Sequence, residues 1–378
     1  MKYDAIVLGL GGMGSAAMSH LARRGWNVLG LEQFNIGHSL GSSHGQTRII
    51  RTAYHEHPSY VPLVRRAFDL WNDLEQRRNE YGLLSNCSCI NIGPSDGDVV
   101  RGVQAAASLH DLPMETLSAT EIHERFPTFR IPPTMNGALE SKAGILKVEE
   151  CVKAHLADAL HTGSATIQDQ EQVLSWREVG QGVEVTTAKG AYSAGKLIIT
   201  AGAWATQTLK NLGVPFTVMR QVMQWFEPRP AAESFSRVRF PIFLVDSPDG
   251  FFYGMPMLSE LGVKCAQRYG APELPSPEMV NREIVEPDEM PVRNFLQRFL
   301  PEAAGPRTRA EVCMYTVTPD KHFVIDVHPE YPAVVVAAGF SGHGFKFAPV
   351  VGEILADLAE QGRTTHDIGL FRAARFHH

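Results

Sequence analysis

The feature that most constrains this chain lies in its first thirty-two residues. Asp4-Ala-Ile-Val-Leu-Gly9 is a short apolar run, the form of a buried parallel strand. It opens directly into Gly9-Leu-Gly11-Gly12-Met13-Gly14. A helical stretch through Ala17, Leu21 and Ala22 then closes at Gly25, a natural left-handed helix end. Trp26 to Leu31 reads as a second strand, and Glu32 stands at its end, 18 residues after Gly14. A lone G-x-G-x-x-G is weak evidence. Between strand and helix, with an acid at this distance, it specifies a dinucleotide-binding unit. Gly9 allows the tight turn, Gly11 lets a pyrophosphate approach the backbone, and Gly14 lets the helix pack on the strand. The helix N-terminus receives the phosphate charge, and Glu32 is placed to accept hydrogen bonds from ribose hydroxyls. The motif alone leaves NAD and FAD open.

A chain of 378 residues, 44% hydrophobic, is long enough for two or three domains and a sizeable core. With 20% charged residues, disorder is excluded as the main state. A net charge of −6 without any basic block argues against nucleic acid. No apolar run reaches the roughly 18 residues that span a bilayer. The N-terminus enters a strand at once, with neither a basic segment nor a cleavage site, so neither a membrane partner nor a secretory signal is expected. Five cysteines, odd in number and scattered, fit a reducing cytoplasm rather than a disulfide framework. Cys87 and Cys89 lack the partners for a zinc site, so no metal is expected. The terminal His377-His378 pair carries no weight.

Apolar residues at Tyr60, Leu63, Val64, Ala67, Leu70, Trp71 and Leu74 predict a helix over 59–75. The stretch 183–202 reads as a hairpin followed by a buried strand ending at Gly202, with Trp204 just beyond. Prolines recur between 219 and 310, where strand-like pieces such as Phe251-Phe-Tyr253-Gly alternate with loops, which predicts a separate, more antiparallel domain. Ala333 to Ala338 is another buried strand, followed by a glycine-rich turn and a helix through Val351, Ile354, Leu355 and Leu358.

Five clusters carry candidate chemistry. Arg48 and Arg51 stand three apart and would neighbour one another on a helix. Cys313, taken alone, is a small buried hydrophobe. Gly339 to Phe347 holds too many glycines for a regular element, so its backbone amides can face an electron-rich ligand edge. Lys264 interrupts a strand-like piece and, alone, reads as a solvated position. Tyr253 lies in an aromatic run that equally suits a core.

Taken in order along nearly the whole chain, these segments resemble the monomeric sarcosine oxidase and N-methyltryptophan oxidase family of D-amino-acid-oxidase-like flavoproteins. The resemblance rests on the N-terminal motif, Thr47-Arg-Ile-Ile-Arg51, Ala201-Gly-Ala-Trp204, Tyr253-Gly-Met-Pro256, Lys264, Cys313-Met-Tyr-Thr, His322-Phe-Val-Ile-Asp326 and Gly339-Phe-Ser-Gly-His-Gly-Phe-Lys346-Phe. It implies FAD held covalently through Cys313. Arg51 and Lys346 would bind a substrate carboxylate, the guanidinium in bidentate fashion. Arg48 would lie against the flavin ring on the side away from substrate. Lys264 would promote reaction with O2 through its positive charge. The Gly342–Gly344 turn and the helix after it would face the flavin pyrimidine. The resemblance further assigns Gly12, Met13, Gln33, Ser42, His44, Thr47, Gly202, Trp204 and His343 to the cofactor, and Tyr253 and Arg268 to the catalytic side.

The implied fold is a two-domain α/β flavoprotein, with a Rossmann-like FAD-binding domain and a mainly antiparallel-sheet catalytic domain. The expected FAD-binding segments are 1–84, 145–217 and 311–378, and the catalytic segments 85–144 and 218–310. The implied activity is oxidative demethylation of an N-methyl amino acid with O2, giving the primary amino acid, formaldehyde and H2O2, in a cytoplasmic monomer. A flavin dehydrogenase feeding a quinone or carrier, a non-catalytic FAD-binding protein and an NAD dehydrogenase are the alternatives. Two positions depart from the family pattern. Arg268 stands where a histidine is usual, and Gln46 where an aspartate is usual. Arg268 pointing into the amine cavity would favour a larger or more polar substrate than sarcosine; turned outward, it would pair with a surface acid.

Overall fold

The computed structural model describes residues 2–230 and 232–376, so His377 and His378 lie outside the described residues. Among these, eight strands form one sheet. Its main path runs Val324–Val327, Val334–Ala338, Gly190–Ile199, Lys2–Leu8, Val28–Leu31 and Ala165–Gln168, and the Gly182–Thr187 and Val173–Val179 strands extend from Gly190–Ile199. Lys2–Leu8 pairs in parallel with both of its neighbours. Such strands are covered on both faces, which is why they read as continuous apolar runs; Ala5, Ile6, Val7, Leu29 and Ile198 are fully buried.

The expected first unit is present. The helix Gly12–Arg23 follows the glycine turn, and Gly25 takes φ +84° after its end. The second strand is shorter than expected, Val28–Leu31. A Cβ on Gly14 would run into the Gly9 carbonyl oxygen, and one on Gly9 would come within 2.7 Å of the Thr200 carbonyl oxygen. Helix Gly12–Arg23 also packs against the C-terminal helix Ala348–Gln361. That contact is backbone-close: a Cβ on Gly352 would stand 2.6 Å from the Ala16 carbonyl carbon.

Ten strands form the second sheet. Its path runs Glu273–Leu274, Thr217–Phe226, Val263–Arg268, Gly250–Met255, Ile242–Ser247, Leu84–Pro94, Met135–Lys147 and Thr47–Arg51, with Arg307–Val317 on Thr217–Phe226 and Glu115–Ser118 on Met135–Lys147. It is antiparallel except where Ile242–Ser247 lies parallel to Leu84–Pro94. The helix Glu286–Phe299 contributes to an aromatic core on this sheet, where Phe252 and Phe295 stack with ring centroids 4.3 Å apart.

One expectation is corrected. Arg48 and Arg51 lie on a strand, not a helix, and Thr47–Arg51 pairs antiparallel with Met135–Lys147. Thr47, Ile49 and Ile50 are β-branched, which suits a pleated surface better than a helix. Strand spacing carries the two guanidinium-bearing residues about 10 Å apart along the chain. The pair therefore serves two places rather than one.

The glycine contacts give a test. Gly14→Ala is expected to destabilise the protein by about 3 kcal/mol or more, because overpacking falls on backbone that cannot yield. Gly163→Ala, at φ +74° with nothing within 4 Å of the methyl it would add, should cost only about 1 kcal/mol. Urea unfolding of both variants measures the difference; equal losses would remove the close helix–strand packing as the constraint.

Candidate functional site

A single cavity runs from the Gly9–Gly14 turn past Glu32, Ser42 and Gly202 to Cys313, Gly342 and Lys346. At its first end, Gly12 N donates to Ser43 Oγ at 3.0 Å. The Glu32 carboxylate accepts from Leu10 N at 2.9 Å and Phe34 N at 3.1 Å, with His38 Nε2 3.5 Å away. These bonds fix the carboxylate against the turn, while Met13 and Gln33 line the same cavity. Gly202 has φ +54°, and a Cβ there would meet nothing within 4 Å; beside it, Trp204 stands 5.4 Å from the Phe34 ring. A glycine cradle, a fixed acid and an open-faced turn fit the nucleotide half of FAD.

The middle of the cavity is built around a thiol. Cys313 is buried on Arg307–Val317, with Arg48 NH2 3.4 Å from its sulfur. That same nitrogen donates to Ser42 O at 2.8 Å, and Ser42 Oγ donates to Met314 O at 2.7 Å. His44 Nδ1 lies 3.1 Å from Glu311 Oε2. Burial opposes charge on His44, but the Cys313 and Glu311 side chains outweigh it and raise His44 to about 9. Burial likewise opposes the Cys313 thiolate, yet Arg48 and His44 bring the thiol down to about 7. The result is a nucleophilic sulfur in an electropositive setting.

Lys264 is buried, contrary to the solvated position its sequence neighbours alone suggest. Its ammonium donates to Gly45 O at 2.7 Å, Thr47 O at 3.1 Å and Thr47 Oγ1 at 3.3 Å, and lies 4.9 Å from the Trp225 ring centroid. Burial, then the nearby Arg48 charge, hold its pKa well below the usual lysine value. Tyr253 is half-buried on the adjacent strand Gly250–Met255 and lines the cavity.

The far end is cationic. Arg51 NH2 donates to Glu56 Oε2 at 2.8 Å, Arg51 NH1 donates to Ala53 O, and the guanidinium stands 4.3 Å from the Tyr54 ring centroid. Lys346 Nζ donates to His343 O at 2.7 Å and to Tyr54 OH at 3.1 Å. Burial and then Arg51 hold Lys346 well below its usual pKa. Arg268 does not turn outward. Its NH1 donates to Glu56 Oε1 at 3.0 Å and its NH2 to Tyr269 OH at 2.9 Å, and its partner acid lines the cavity. Burial works against the Glu56 carboxylate, but Arg51, His55 and Arg268 keep it ionised, well below the usual range. The 339–344 turn is close-packed: a Cβ on Gly342 or Gly344 would strike the ring of Tyr315 or Phe340.

Several residues of the site lie outside every sequence motif. Glu56, Glu140, Glu311, Tyr54 and Tyr269 act through partners distant in the chain. Glu140 Oε2 accepts from Thr52 N at 2.9 Å and Ala53 N at 3.0 Å, which pins the turn just beyond Arg51. A glutamate inside an apolar strand, Ala138-Leu-Glu140, is the one signal that could have found it.

The chain matches the FAD dependent oxidoreductase family model over residues 4–358. It is 45% identical to a monomeric sarcosine oxidase from Streptomyces avermitilis, across 99% of this chain and 97% of that protein. It is 38% identical to an N-methyl-L-tryptophan oxidase from Yersinia pestis, across the whole of both chains. Among solved structures, NikD, an unusual amino acid oxidase essential for nikkomycin biosynthesis, superposes with a TM-score of 0.86 at 26% identity, covering 98% of this chain and 97% of that one.

Burial raises Glu140 to about 7 from an ordinary value of 4.5. The folded state thus holds a proton that the unfolded chain has released, and stability from this group is lost as pH rises from 4.5 through 7. Glu140→Gln keeps an acceptor oxygen without the charge. It should be more stable than wild type at pH 8 by up to about 3 kcal/mol, with the gain vanishing near pH 4. Urea unfolding at both pH values checks this; a gain independent of pH would contradict the assignment.

Proposed function

The chain belongs to the FAD dependent oxidoreductase family, and on that premise we propose that it is an FAD-dependent amine oxidase that oxidatively demethylates an N-methyl amino acid. The reading is carried by one observation: Arg51 and Lys346 converge at one end of the cavity whose other end is the glycine turn. The overall reaction takes the secondary amine, O2 and water to the primary amino acid, formaldehyde and H2O2. FAD, when bound, supplies the two-electron acceptor. Arg51 and Lys346 hold the substrate carboxylate, which orients the N-methyl group. The buried cations around them favour the neutral, oxidisable form of the substrate amine. Lys264, when protonated, supplies positive charge for the reaction with oxygen. Cys313, brought toward its thiolate by Arg48 and His44, is the covalent anchor.

The segments 1–84, 145–217 and 311–378 are assigned to the FAD-binding domain, and 85–144 and 218–310 to the catalytic domain. A cytoplasmic monomer is the proposed working form; no helix among the described residues is long and apolar enough to cross a membrane.

The direct test is anaerobic bleaching of the flavin by N-methyl amino acids, followed in air by equal yields of formaldehyde and peroxide. No bleaching by any such amine would overturn the proposal. Mass spectrometry of denatured protein should find one FAD on the peptide containing Cys313, and an unmodified peptide in yellow, active protein would end the covalent assignment.

Lys264→Met and Arg51→Ala should part company. The first should slow reoxidation by oxygen about 100-fold or more while affecting anaerobic reduction far less. The second should raise KM by about 10- to 100-fold, the worth of a charge-assisted hydrogen bond, with reoxidation little changed. Stopped-flow traces showing the reverse pattern would exchange the two roles.

A further inference from the structure

Resting on the activity proposed above, we propose that the substrate is an N-methyl amino acid with a second carboxylate on its side chain, received by Arg268. Arg51 and Lys346 already provide a complete seat for one carboxylate. Arg268 adds another guanidinium to the same cavity lining, and its side chain is only 8% exposed. Cations are buried at such cost only when partnered.

Its partnering is incomplete. NH1 is used by Glu56 and NH2 by Tyr269, whereas the buried Nε has no acceptor among the described residues. Glu56 also divides its two oxygens between Arg268 and Arg51. One carboxylate is thus already shared between the two guanidiniums, and it leaves the Arg268 Nε without an acceptor among the described residues. Two permanently charged guanidiniums share this single acid, with Lys346 beside it. A substrate α-carboxylate takes the Arg51 and Lys346 end, and a second carboxylate on the side chain gives Arg268 an acceptor of its own.

The position is also braced. Tyr269 OH donates to Ser341 O at 2.7 Å, which ties the Arg268 partner to the 339–344 turn. Phe251, paired with Arg268 across the two strands, stands 5.6 Å from the guanidinium. A guanidinium held on a strand by a ring and a braced phenol is a preorganised carboxylate receptor.

The test compares N-methyl-L-glutamate with its neutral isostere N-methyl-L-glutamine in anaerobic flavin reduction by the holoenzyme. The acid should lead the amide by at least about tenfold in limiting reduction rate over apparent Kd, the worth of one charge-assisted hydrogen bond. Arg268→Gln should collapse that ratio to near unity, and Arg268→Lys should retain part of it. A merely structural role would slow both substrates alike and leave the ratio standing. Should Arg268→Gln not fold, Glu56→Gln frees both guanidiniums and should raise the acid-to-amide ratio. Equal rates for acid and amide in wild type, or a ratio indifferent to these substitutions, would overturn the inference. If sarcosine bleaches the flavin without any preference for the acid, the demethylase reading survives and only the dicarboxylate claim falls. If no N-methyl amino acid bleaches it, both fall.

Discussion

The cationic side chains of Arg48, Arg51, Arg268 and Lys346 line one cavity in this protein, with Lys264 buried nearby, and most of the local architecture answers the cost of taking them out of water. Arg51 and Lys264 are 2% exposed and Lys346 is 6% exposed. Isolated, such charges would be untenable in a medium of low polarity. Each is met by oxygen: Arg48 by Thr47 O and Ser42 O, Lys264 by Gly45 and Thr47, Lys346 by His343 O and Tyr54, Arg51 and Arg268 by the shared Glu56. Most of these acceptors are backbone carbonyls, at Ser42, Gly45, Thr47 and His343. The irregular segments around 42–47 and 339–344 therefore have defined shapes because cations hold them, and the cations stay charged or poised because the segments are shaped.

How much of this is legible in the chain depends on the range over which each residue acts. The Gly9–Gly14 unit is legible because strand, turn, helix and acid are contiguous and their constraints are local steric ones. The helix over 60–78 is legible because its apolar spacing extends through several turns. Arg48 and Arg51 defeat a local reading. Their spacing of three suggests a helix face, whereas pairing with Met135–Lys147, about ninety residues away in sequence, decides the matter. Glu56, Glu140 and Glu311 are invisible for the same reason: a carboxylate acquires meaning only from what folds against it. Lys264 and Arg268 lie on the strand Val263–Arg268, four residues apart, and nothing local says that such charges face inward.

The two sheets divide the work unequally. The eight-stranded sheet, parallel in its central strands, supplies the glycine turn and the 339–347 segment, each leaving from the end of a buried strand, the usual location of ligand sites in such sheets. The antiparallel sheet supplies Arg48, Arg51, Tyr253, Lys264, Arg268 and Cys313 from the Thr47–Arg51, Gly250–Met255, Val263–Arg268 and Arg307–Val317 strands. Side chains set on strands have little freedom to re-aim, so replacement of one head group at Arg268 can alter the cavity without rebuilding its neighbours.

The backbone contact between Gly352 and Ala16 has a further consequence. The helix carrying Gly352 begins just after Lys346, and the helix carrying Ala16 begins at the glycine turn. With only the Ala16 methyl at the contact, the two segments lie close together. The dinucleotide turn and the Lys346 end of the cavity are thus joined through one close helix pair. If occupancy of one end changes affinity at the other, linkage requires the reverse effect to be equal in size.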